Sequence, residues 1–283
     1  MIRGAMPANR DAPLVSREAL EGAYALLTFH HPEVAQEARA GQFVMMKAGR
    51  SAAPPLRRPF SILRVDPPKG TFTIFLKVVG EQSRALAALR PGETALSLGP
   101  LGRPFSAPQD GAEPVMVAGG YGIAPFLMLS EDLSKRRQPG RVFYGGRNAV
   151  DVQMQALFAE LGMNLVSATE DGTLGHKGLV TEPLEIHLEK RERPAALYAC
   201  GPNAMLRAVA AIAERRRIPC QVSLVPWMGC GVGTCLGCVV RIQERDEARS
   251  RFRCACTEGP VFDADVVVWP GEEASAARRR VAT

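Results

Sequence analysis

Five of the chain's seven cysteines lie in one short stretch, and this clustering constrains the fold more than any other feature of the sequence. The stretch runs from Cys230 to Cys256, and glycines lie beside and between its first three cysteines. An odd total with uneven spacing does not suit the evenly paired disulfide framework of a secreted protein. Clustered thiols in a reducing compartment indicate a metal site instead.

The spacing of these cysteines favours one kind of metal site. Cys230, Cys235 and Cys238 form the pattern C-x4-C-x2-C, which, with a later cysteine, is typical of plant-type 2Fe-2S ferredoxins. The interspersed glycines let the loop approach the cluster sulfides closely. A zinc site is the alternative, but zinc sites more often carry two C-x2-C pairs. Spacing alone leaves Cys254 and Cys256 as competing fourth ligands.

Length and charge exclude several classes of protein. A chain of 283 residues is long enough for two or three domains. Its net charge of +6 lies largely in short runs, such as Lys135–Arg137 and Arg215–Arg217, that are typical of solvated faces. Because no aromatic residues are interleaved with these runs, nucleic-acid binding is not predicted. The sequence has no run of about 18 apolar residues and no secretory signal, so we expect no membrane span and a cytoplasmic location.

Three regions of the chain differ in their hydrophobic pattern. Residues 12–108 contain short β-rich runs between turn signals and predict a small antiparallel barrel. Residues 109–222 alternate apolar strands with helices and predict a parallel sheet with helical crossovers. Residues 223–271 form a small cysteine module that a metal cluster staples. Two short strands are predicted in this module: Val239–Gln243 and Val266–Val268.

Two turns of the second region each join a predicted strand to a predicted helix. The first has the sequence GGYGIAP (119–125), and the second, CGPNAM, covers residues 200–205. Such turns let a pyrophosphate reach a helix N-terminus, where free N–H groups and the helix dipole favour anions. Both turns follow the carboxyl ends of parallel strands, so we expect them to face one crevice. The candidate nucleotide-binding residues are Gly119, Gly120, Gly122, Ala124, Pro125, Gly201 and Pro202.

The first region carries two further candidate motifs. Arg58-Pro59-Phe60-Ser61 begins a predicted strand. Its arginine can clamp a pyrophosphate through two parallel hydrogen bonds, and its aromatic ring can cover a flavin or adenine face. The sequence GEQS at 80–83 precedes a short helix predicted from Ser83 to Leu89 and offers a second anion-binding helix start.

These motifs occur in an order that resembles the ferredoxin–NADP reductase superfamily. The order is RPFS, GEQS, GPLG, GGYGIAP, CGPNAM and then the cysteine module. The segments GCGVGTCLGC and CTEGPVF narrow the resemblance, which spans residues 14–270, to the electron-transfer subunits of class B dihydroorotate dehydrogenase. The resemblance implies an α+β multidomain fold: a β-barrel FAD domain, a Rossmann-like α/β NAD domain and a small C-terminal 2Fe-2S domain. One FAD and one cluster are implied per subunit.

The resemblance also implies which residues contact FAD. The RPFS residues Arg58, Pro59, Phe60 and Ser61 would contact it directly. Phe75, Leu76 and Lys77 match the strand beside the flavin, where the family often has arginine at the position of Lys77. Gln82 and Ser83 match a Gly-Thr pair near the flavin phosphates, so glutamine is a departure, while Ser83 keeps the hydroxyl.

For the 2Fe-2S cluster the resemblance implies the iron ligands, and for the NAD site it implies one residue beside the nicotinamide. The CTEGPVF match implies that Cys256 is the fourth iron ligand and that Cys254 does not bind iron. Cys200 is implied to lie near the nicotinamide, and a packed small residue is the alternative interpretation. Val225–Trp227 replaces a segment in which the family commonly has an acidic residue. The implied metal ligands are Cys230, Cys235, Cys238 and Cys256.

The implied function is electron relay. A separate FMN catalytic subunit oxidises dihydroorotate, and electrons pass through the 2Fe-2S cluster and FAD to NAD+, in pyrimidine biosynthesis. A two-plus-two heterotetramer with that subunit is implied as well. Two alternatives stay open: a reductase subunit that serves ferredoxin, sulfite or another acceptor, and a redox-sensing protein that only retains the nucleotide-binding fold.

Overall fold

The computed structural model describes residues 8–49, 55–243 and 249–269. These residues form a closed barrel, a seven-stranded sheet and a two-stranded sheet, which confirms the predicted fold class. Residues 270 and 271, the last two of the predicted third domain, lie outside the described ranges. Within those ranges, no helix combines the length and the apolar character that a membrane crossing needs.

The first region forms an antiparallel barrel whose strands follow the order β1-β2-β5-β4-β3-β6. Alternate residues of each strand point inward. Leu27 lies opposite Ile74 and Phe29 opposite Phe72, and all four side chains are fully buried. These cross-strand pairs form the core of the barrel. Its strands are β1 (Ala8–Ala19), β2 (Tyr24–His30), β3 (Phe43–Ala48), β4 (Arg58–Asp66), β5 (Thr71–Lys77) and β6 (Thr94–Leu101).

Two short helices, α1 (Pro32–Glu37) and α2 (Glu81–Ala87), lie between barrel strands. Helix α2 begins two residues earlier than the sequence predicted. The reason is the hydroxyl of Ser83, which accepts hydrogen bonds from the backbone N–H groups of Val79 and Gly80 at 3.0 and 3.1 Å. Ser83 therefore caps the helix from inside its first turn.

The second region forms a sheet with helices on both faces. The strands β7 to β12 are parallel where they pair, and the sheet order is β10-β9-β8-β7-β11-β12. Val115 and Val117 of β7 face α5 and α6, whereas Met116 and Ala118 face α3 and α4. The elements are β7 (Glu113–Gly119), α3 (Ala124–Lys135), β8 (Arg141–Gly146), α4 (Gln155–Glu160), β9 (Asn164–Thr169), β10 (His176–Lys177), α5 (Thr181–Lys190), β11 (Ala195–Cys200), α6 (Asn203–Arg216) and β12 (Cys220–Ser223).

The cysteine module is joined to this sheet by its last strand. Its elements are β13 (Val239–Ile242), β14 (Arg251–Cys254), α7 (Ala255–Glu258) and β15 (Val261–Asp263). Strand β15 pairs antiparallel with β12 and becomes the seventh strand.

The strand predicted at Val266–Val268 was wrong. A 3-10 turn covers Ala264–Val266, and Val267 makes only an isolated bridge to Ile242. Strand β15 (Val261–Asp263), which comes just before these valines in the chain, already covers the free edge of β12. Val267 packs against the apolar core of the sheet instead.

Candidate cofactor and cluster sites

The cysteine loop gathers its thiols at two places. Cys230 and Cys235 lie within hydrogen-bonding reach of each other near the surface, and Cys238 lies within reach of both Cys254 and Cys256 in the interior. Two irons that each take two thiolates fit this arrangement, with one of Cys254 and Cys256 beside Cys238. Among the described residues, no three His, Cys, Asp or Glu side chains are already placed to hold a single metal ion.

Backbone N–H groups of the loop point at cysteine sulfurs. The Sγ atom of Cys230 accepts from Val232 at 3.4 Å and from Cys235 at 3.5 Å. Burial raises the pKa of the Cys230 thiol, but these backbone hydrogen bonds outweigh it and lower the pKa to about 6. The loop therefore favours the thiolate form, which is the form that binds iron.

Cys254 and Cys256 differ in what their sulfurs face. The Cys256 Sγ accepts a hydrogen bond from the N–H of Gly233 at 3.2 Å, whereas the Cys254 Sγ lies 4.0 Å from the carbonyl oxygen of the same residue. A sulfur that faces an N–H suits a thiolate, and one that faces a carbonyl suits a protonated thiol. Burial and the neighbouring Cys238 raise the pKa of both thiols, that of Cys256 to about 12. The direction of the hydrogen bonds and the motif match, and not acidity, therefore favour Cys256 as the fourth ligand.

The cluster loop lies directly against the barrel. A Cβ on Gly231 would overlap the side chain of Met45 on β3 and come within 3.1 Å of Leu101. Met45 is the strand partner of Pro59 in the RPFS motif. The cluster loop and the predicted FAD motif are therefore separated by a single strand, and neighbouring strands are about 4.8 Å apart.

The two predicted FAD segments lie on opposite sides of a gap in the barrel. The pairing of β4 with β5 runs from Asp66 and Thr71 to Ile62 and Ile74. Beyond that pair, residues 58–61 pair with β3, and residues 75–77 pair with β2. Residues 58–61 are all half-buried. The unpaired ends of these two strands, here called the flavin slot, leave backbone groups of both without a partner strand between them, as the predicted FAD contacts would require.

The side chains of β5 are engaged elsewhere. The Phe75 ring stacks on Tyr24 with centroids 5.2 Å apart, and Leu76 is buried in the core. A cofactor in the flavin slot would meet their backbone. The ammonium group of Lys77 bonds to the carboxylate of Asp151 at 2.6 Å. No local signal in the sequence pointed to Asp151 as a partner of Lys77.

Ser83 and Gln82, at the start of α2, have different roles: one caps the helix, and the other has a buried amide that a cofactor could bind. The Ser83 hydroxyl, predicted near the flavin phosphates, is occupied in capping the helix and also donates to the Gly80 carbonyl at 2.9 Å. Gln82 is 4% exposed, and its Oε1 and Nε2 atoms have no hydrogen-bond partner among the described residues. A buried amide without partners is costly. A polar group of the cofactor at this position would satisfy it, so Gln82 fits the predicted FAD site.

The two glycine-containing turns of the second region meet, as predicted. A Cβ on Gly119 would lie 2.6 Å from Cδ of Pro202, and one on Gly122 would overlap the carbonyl oxygen of Cys200. Helix α3 follows the first turn, with Ala124 and Pro125 buried in its first turn. Close backbone approach therefore requires glycine at both positions and forms one crevice at the carboxyl edge of the sheet.

Cys200 is the last residue of β11, at the floor of this crevice. It is 3% exposed, and burial raises the pKa of its thiol to about 12. A neutral buried thiol is a poor nucleophile. Its position suits a packing or positioning role beside the nicotinamide rather than covalent catalysis.

Comparison with known proteins decides the family. Residues 226–268 match the iron-sulfur cluster binding domain of dihydroorotate dehydrogenase B, and residues 116–211 match the oxidoreductase NAD-binding domain. The electron transfer subunit of dihydroorotate dehydrogenase B (NAD(+)) from Desulforamulus reducens is 37% identical over 243 residues, which cover 86% of this chain and 92% of that protein. The chain belongs to this family of electron transfer subunits. The Bacillus caldolyticus member is also 37% identical and covers 86% of this chain and 91% of its own.

Solved structures agree with the family's fold. The structure of an NADH-dependent reduced ferredoxin-NADP oxidoreductase, described for flavin-based electron bifurcation, is 27% identical and superposes with a TM-score of 0.80 over 100% of both chains. A ferredoxin NADP+ reductase from Neisseria gonorrhoeae with bound FAD and NADP is 18% identical, with a TM-score of 0.62 over 74% of this chain and 91% of its own. The resemblance inferred from the motifs is confirmed.

Proposed function

We propose that this chain carries electrons from an FMN-containing dihydroorotate dehydrogenase subunit, through a 2Fe-2S cluster and FAD, to NAD+ in pyrimidine (UMP) biosynthesis. The observation that carries the proposal is the contiguity of the three sites in a member of this family. The cluster loop contacts β3, the flavin slot adjoins β3, and the first glycine turn lies across the domain boundary from Tyr24, whose hydroxyl is 4.0 Å from a Cβ on Gly120. When bound, FAD supplies the exchange between one-electron and two-electron chemistry.

The chain's own residues hold and orient the cofactors in this proposal. The thiolates of Cys230, Cys235, Cys238 and Cys256 ligate the two irons. Arg58 and its neighbours in RPFS bind FAD along the flavin slot, and the turns at 119–125 and 200–202 hold NAD. Oxidation of dihydroorotate belongs to the partner subunit. We extend the proposal to a two-plus-two heterotetramer and to a cytoplasmic location, where a reducing environment keeps the cluster thiols available.

The surface around the exposed cysteine pair suits a protein partner. A Cβ on Gly229 would lie 3.5 Å from the Cys235 Sγ and 4.0 Å from Leu56, and one on Gly237 would lie 3.6 Å from the same sulfur and 4.0 Å from the Trp227 carbonyl. Electron entry requires the partner to cover this sulfur, and exposed apolar groups supply binding energy there. This cluster-loop patch consists of Leu56, Trp227, Val232 and Leu236, all exposed.

Trp227 is expected to be an anchor of this interface because it is 85% exposed beside the cysteine loop. Changing Trp227 to alanine should weaken binding of the catalytic subunit by about 30-fold, the effect of removing a buried aromatic anchor of about 2 kcal/mol. Titration of the catalytic subunit, followed by interferometry, measures the effect. Ile186→Ala, which removes an exposed apolar side chain from α5, is the matched control and should leave affinity unchanged. Equal affinity for Trp227→Ala and wild type would contradict this surface.

Co-expression with the dihydroorotate dehydrogenase catalytic subunit of the same genome tests the proposed function. The complex is purified anaerobically, and dihydroorotate-dependent reduction of NAD+ is measured with the catalytic subunit alone as the control. We expect NAD+ reduction only when both chains are present. A chain that carries FAD and iron but shows only NADH–dye activity would retain the reductase assignment and refute the proposed partner.

A second candidate is a relay for a ferredoxin-linked partner. The whole-chain likeness to the structure described for flavin-based electron bifurcation favours it. Reduced ferredoxin, offered in place of dihydroorotate in the same assay, separates the two. NAD+ reduction that depends on ferredoxin and not on dihydroorotate would support the second candidate.

A further inference from the structure

We infer that Asp151 is a positioning residue for hydride exchange, because it joins the NAD-binding domain to the flavin strand β5 and fixes their relative placement. The inference rests on the proposed function only in taking FAD and NAD as the cofactors. It does not depend on which partner protein supplies the electrons.

The Asp151 carboxylate receives hydrogen bonds from three side chains. Its Oδ1 atom accepts from the Tyr24 hydroxyl and from the Lys77 ammonium, each at 2.6 Å. Its Oδ2 atom accepts from Nε of Arg147 at 2.7 Å, and the Arg147 backbone N–H lies 3.4 Å away. The carboxylate side chain is only 8% exposed. A buried carboxylate with all of these donors is held in one place.

This cluster crosses the boundary between the two cofactor domains. Tyr24 and Lys77 belong to β2 and β5 of the barrel, whereas Asp151 lies in the 3-10 turn after β8. Lys77 is the end of the strand that forms one side of the flavin slot. Its ammonium also lies 4.7 Å from the centre of the Tyr24 ring, which stacks on Phe75.

The same cluster reaches the glycine turn of the NAD site. The Tyr24 hydroxyl lies 4.0 Å from the position of a Cβ on Gly120. Asp151 therefore touches, through Tyr24 and Lys77, both the flavin strand and the turn expected to carry the nicotinamide dinucleotide. Hydride exchange needs the two cofactors held at contact distance, and an error of about 1 Å costs about 100-fold in rate.

The charges in the cluster show what the carboxylate does. Lys77 and Arg147 place two cations around a single anion. Burial raises the pKa of the Asp151 carboxyl, but the hydrogen bonds from its donors outweigh it and hold that pKa well below the ordinary value. A neutral amide at position 151 would leave the two cations facing each other across the boundary, and Lys77 would move away.

A second ion pair also crosses the boundary and provides a control. Arg64 of β4 bonds to Glu131 of α3, with 2.6 Å between Nε and Oε1. Glu131 lies seven residues beyond the first residue of α3 (Ala124), which is about 10 Å along the helix from the glycine turn. Loss of this pair loosens the same boundary without touching β5 or the turn.

The test compares Asp151→Asn with Glu131→Gln in the full chain. Anaerobic stopped-flow mixing with saturating NADH measures the rate of flavin bleaching, and an NADH titration of the flavin's long-wavelength charge-transfer absorbance reports how closely the two rings approach. We expect Asp151→Asn to bleach about 10- to 100-fold more slowly, with a weakened charge-transfer band and unchanged FAD content and cluster EPR signal. Glu131→Gln should stay within about twofold of wild type.

Three results would overturn the inference: an Asp151→Asn rate within twofold of wild type, equal slowing in both variants, or loss of FAD from Asp151→Asn. If Asp151→Asn fails to fold, Tyr24→Phe takes its place in the test. It removes one hydrogen bond to the same carboxylate without removing a charge, and it should slow flavin bleaching by a smaller factor. A Tyr24→Phe protein that matches wild type in both readouts would also contradict the inference. Failure of NADH to bleach the wild-type flavin would count against the proposed function instead.

Discussion

We expect the Cys256→Ala protein to be purified without its 2Fe-2S cluster and to lose dihydroorotate-dependent NAD+ reduction by more than about 100-fold. Changing residues that only support a metal ligand already costs about 10- to 100-fold, so loss of a ligand costs more. The barrel and the parallel sheet should still fold, because their two apolar cores contain none of the four proposed iron ligands. NADH–dye activity, which uses only FAD and NAD, should persist.

Cys254→Ala is the matched control for this experiment. Cys254 lies two residues away, is also buried, and has a sulfur that faces a carbonyl oxygen rather than an N–H. Its replacement should leave iron content, sulfide content and the EPR signal near wild type. Loss of the cluster from Cys254→Ala with retention in Cys256→Ala would reverse the assignment of the fourth ligand.

The second large effect is expected at Gly122 in the NAD turn. Alanine there would overlap the carbonyl oxygen of Cys200, so the turns at 119–125 and 200–202 must separate. NADH-dependent reduction of dyes should fall by more than about 100-fold, because displacement of a bound substrate by about 1 Å has that effect. FAD content and the cluster signal should remain, because the overlap lies between this turn and residues 200–201 and not at β5 or the cluster loop.

Gly120→Ala, in the same turn, separates steric overlap from backbone strain. Gly120 has a φ of +54°, and its nearest neighbour is the Tyr24 hydroxyl at 4.0 Å from the Cβ position. Alanine there meets no overlap and costs about 1 to 2 kcal/mol of left-handed strain. Its NADH–dye rate should fall less than tenfold. Equal losses at the two glycines would show that the overlap at Gly122 is relieved by movement.

Local patterns in the sequence predicted the parallel sheet and the position of the glycine turns between strand and helix. A continuous apolar run, buried on both faces, marks β7. The turn that follows it needs glycine for a steric reason, as the overlap at Gly122 illustrates. The cysteine spacing likewise reports a local loop, since Cys230, Cys235 and Cys238 lie within nine residues. Such features are visible because their physical causes act over a few residues.

Long-range pairing was not predictable in the same way. Nothing near Val261 indicates that it pairs with Ser223 at the edge of the NAD sheet, and the neighbouring valines at 266–268 have the stronger strand propensity. The bond between Lys77 and Asp151 joins residues 74 positions apart. Tertiary contact overrides local propensity in both places. The unpartnered Gln82 amide was also invisible, because burial depends on the whole fold.

The most direct test of the relay is anaerobic addition of dihydroorotate to the complex with its catalytic subunit, without NAD+. Freeze-quenched samples are read by EPR for the reduced cluster and by absorbance for the flavins, and NAD+ is then added. We expect the cluster signal to appear with flavin bleaching and both to disappear as NADH forms. A cluster that stays oxidised throughout, while NADH forms as fast as in steady-state turnover, would contradict the account.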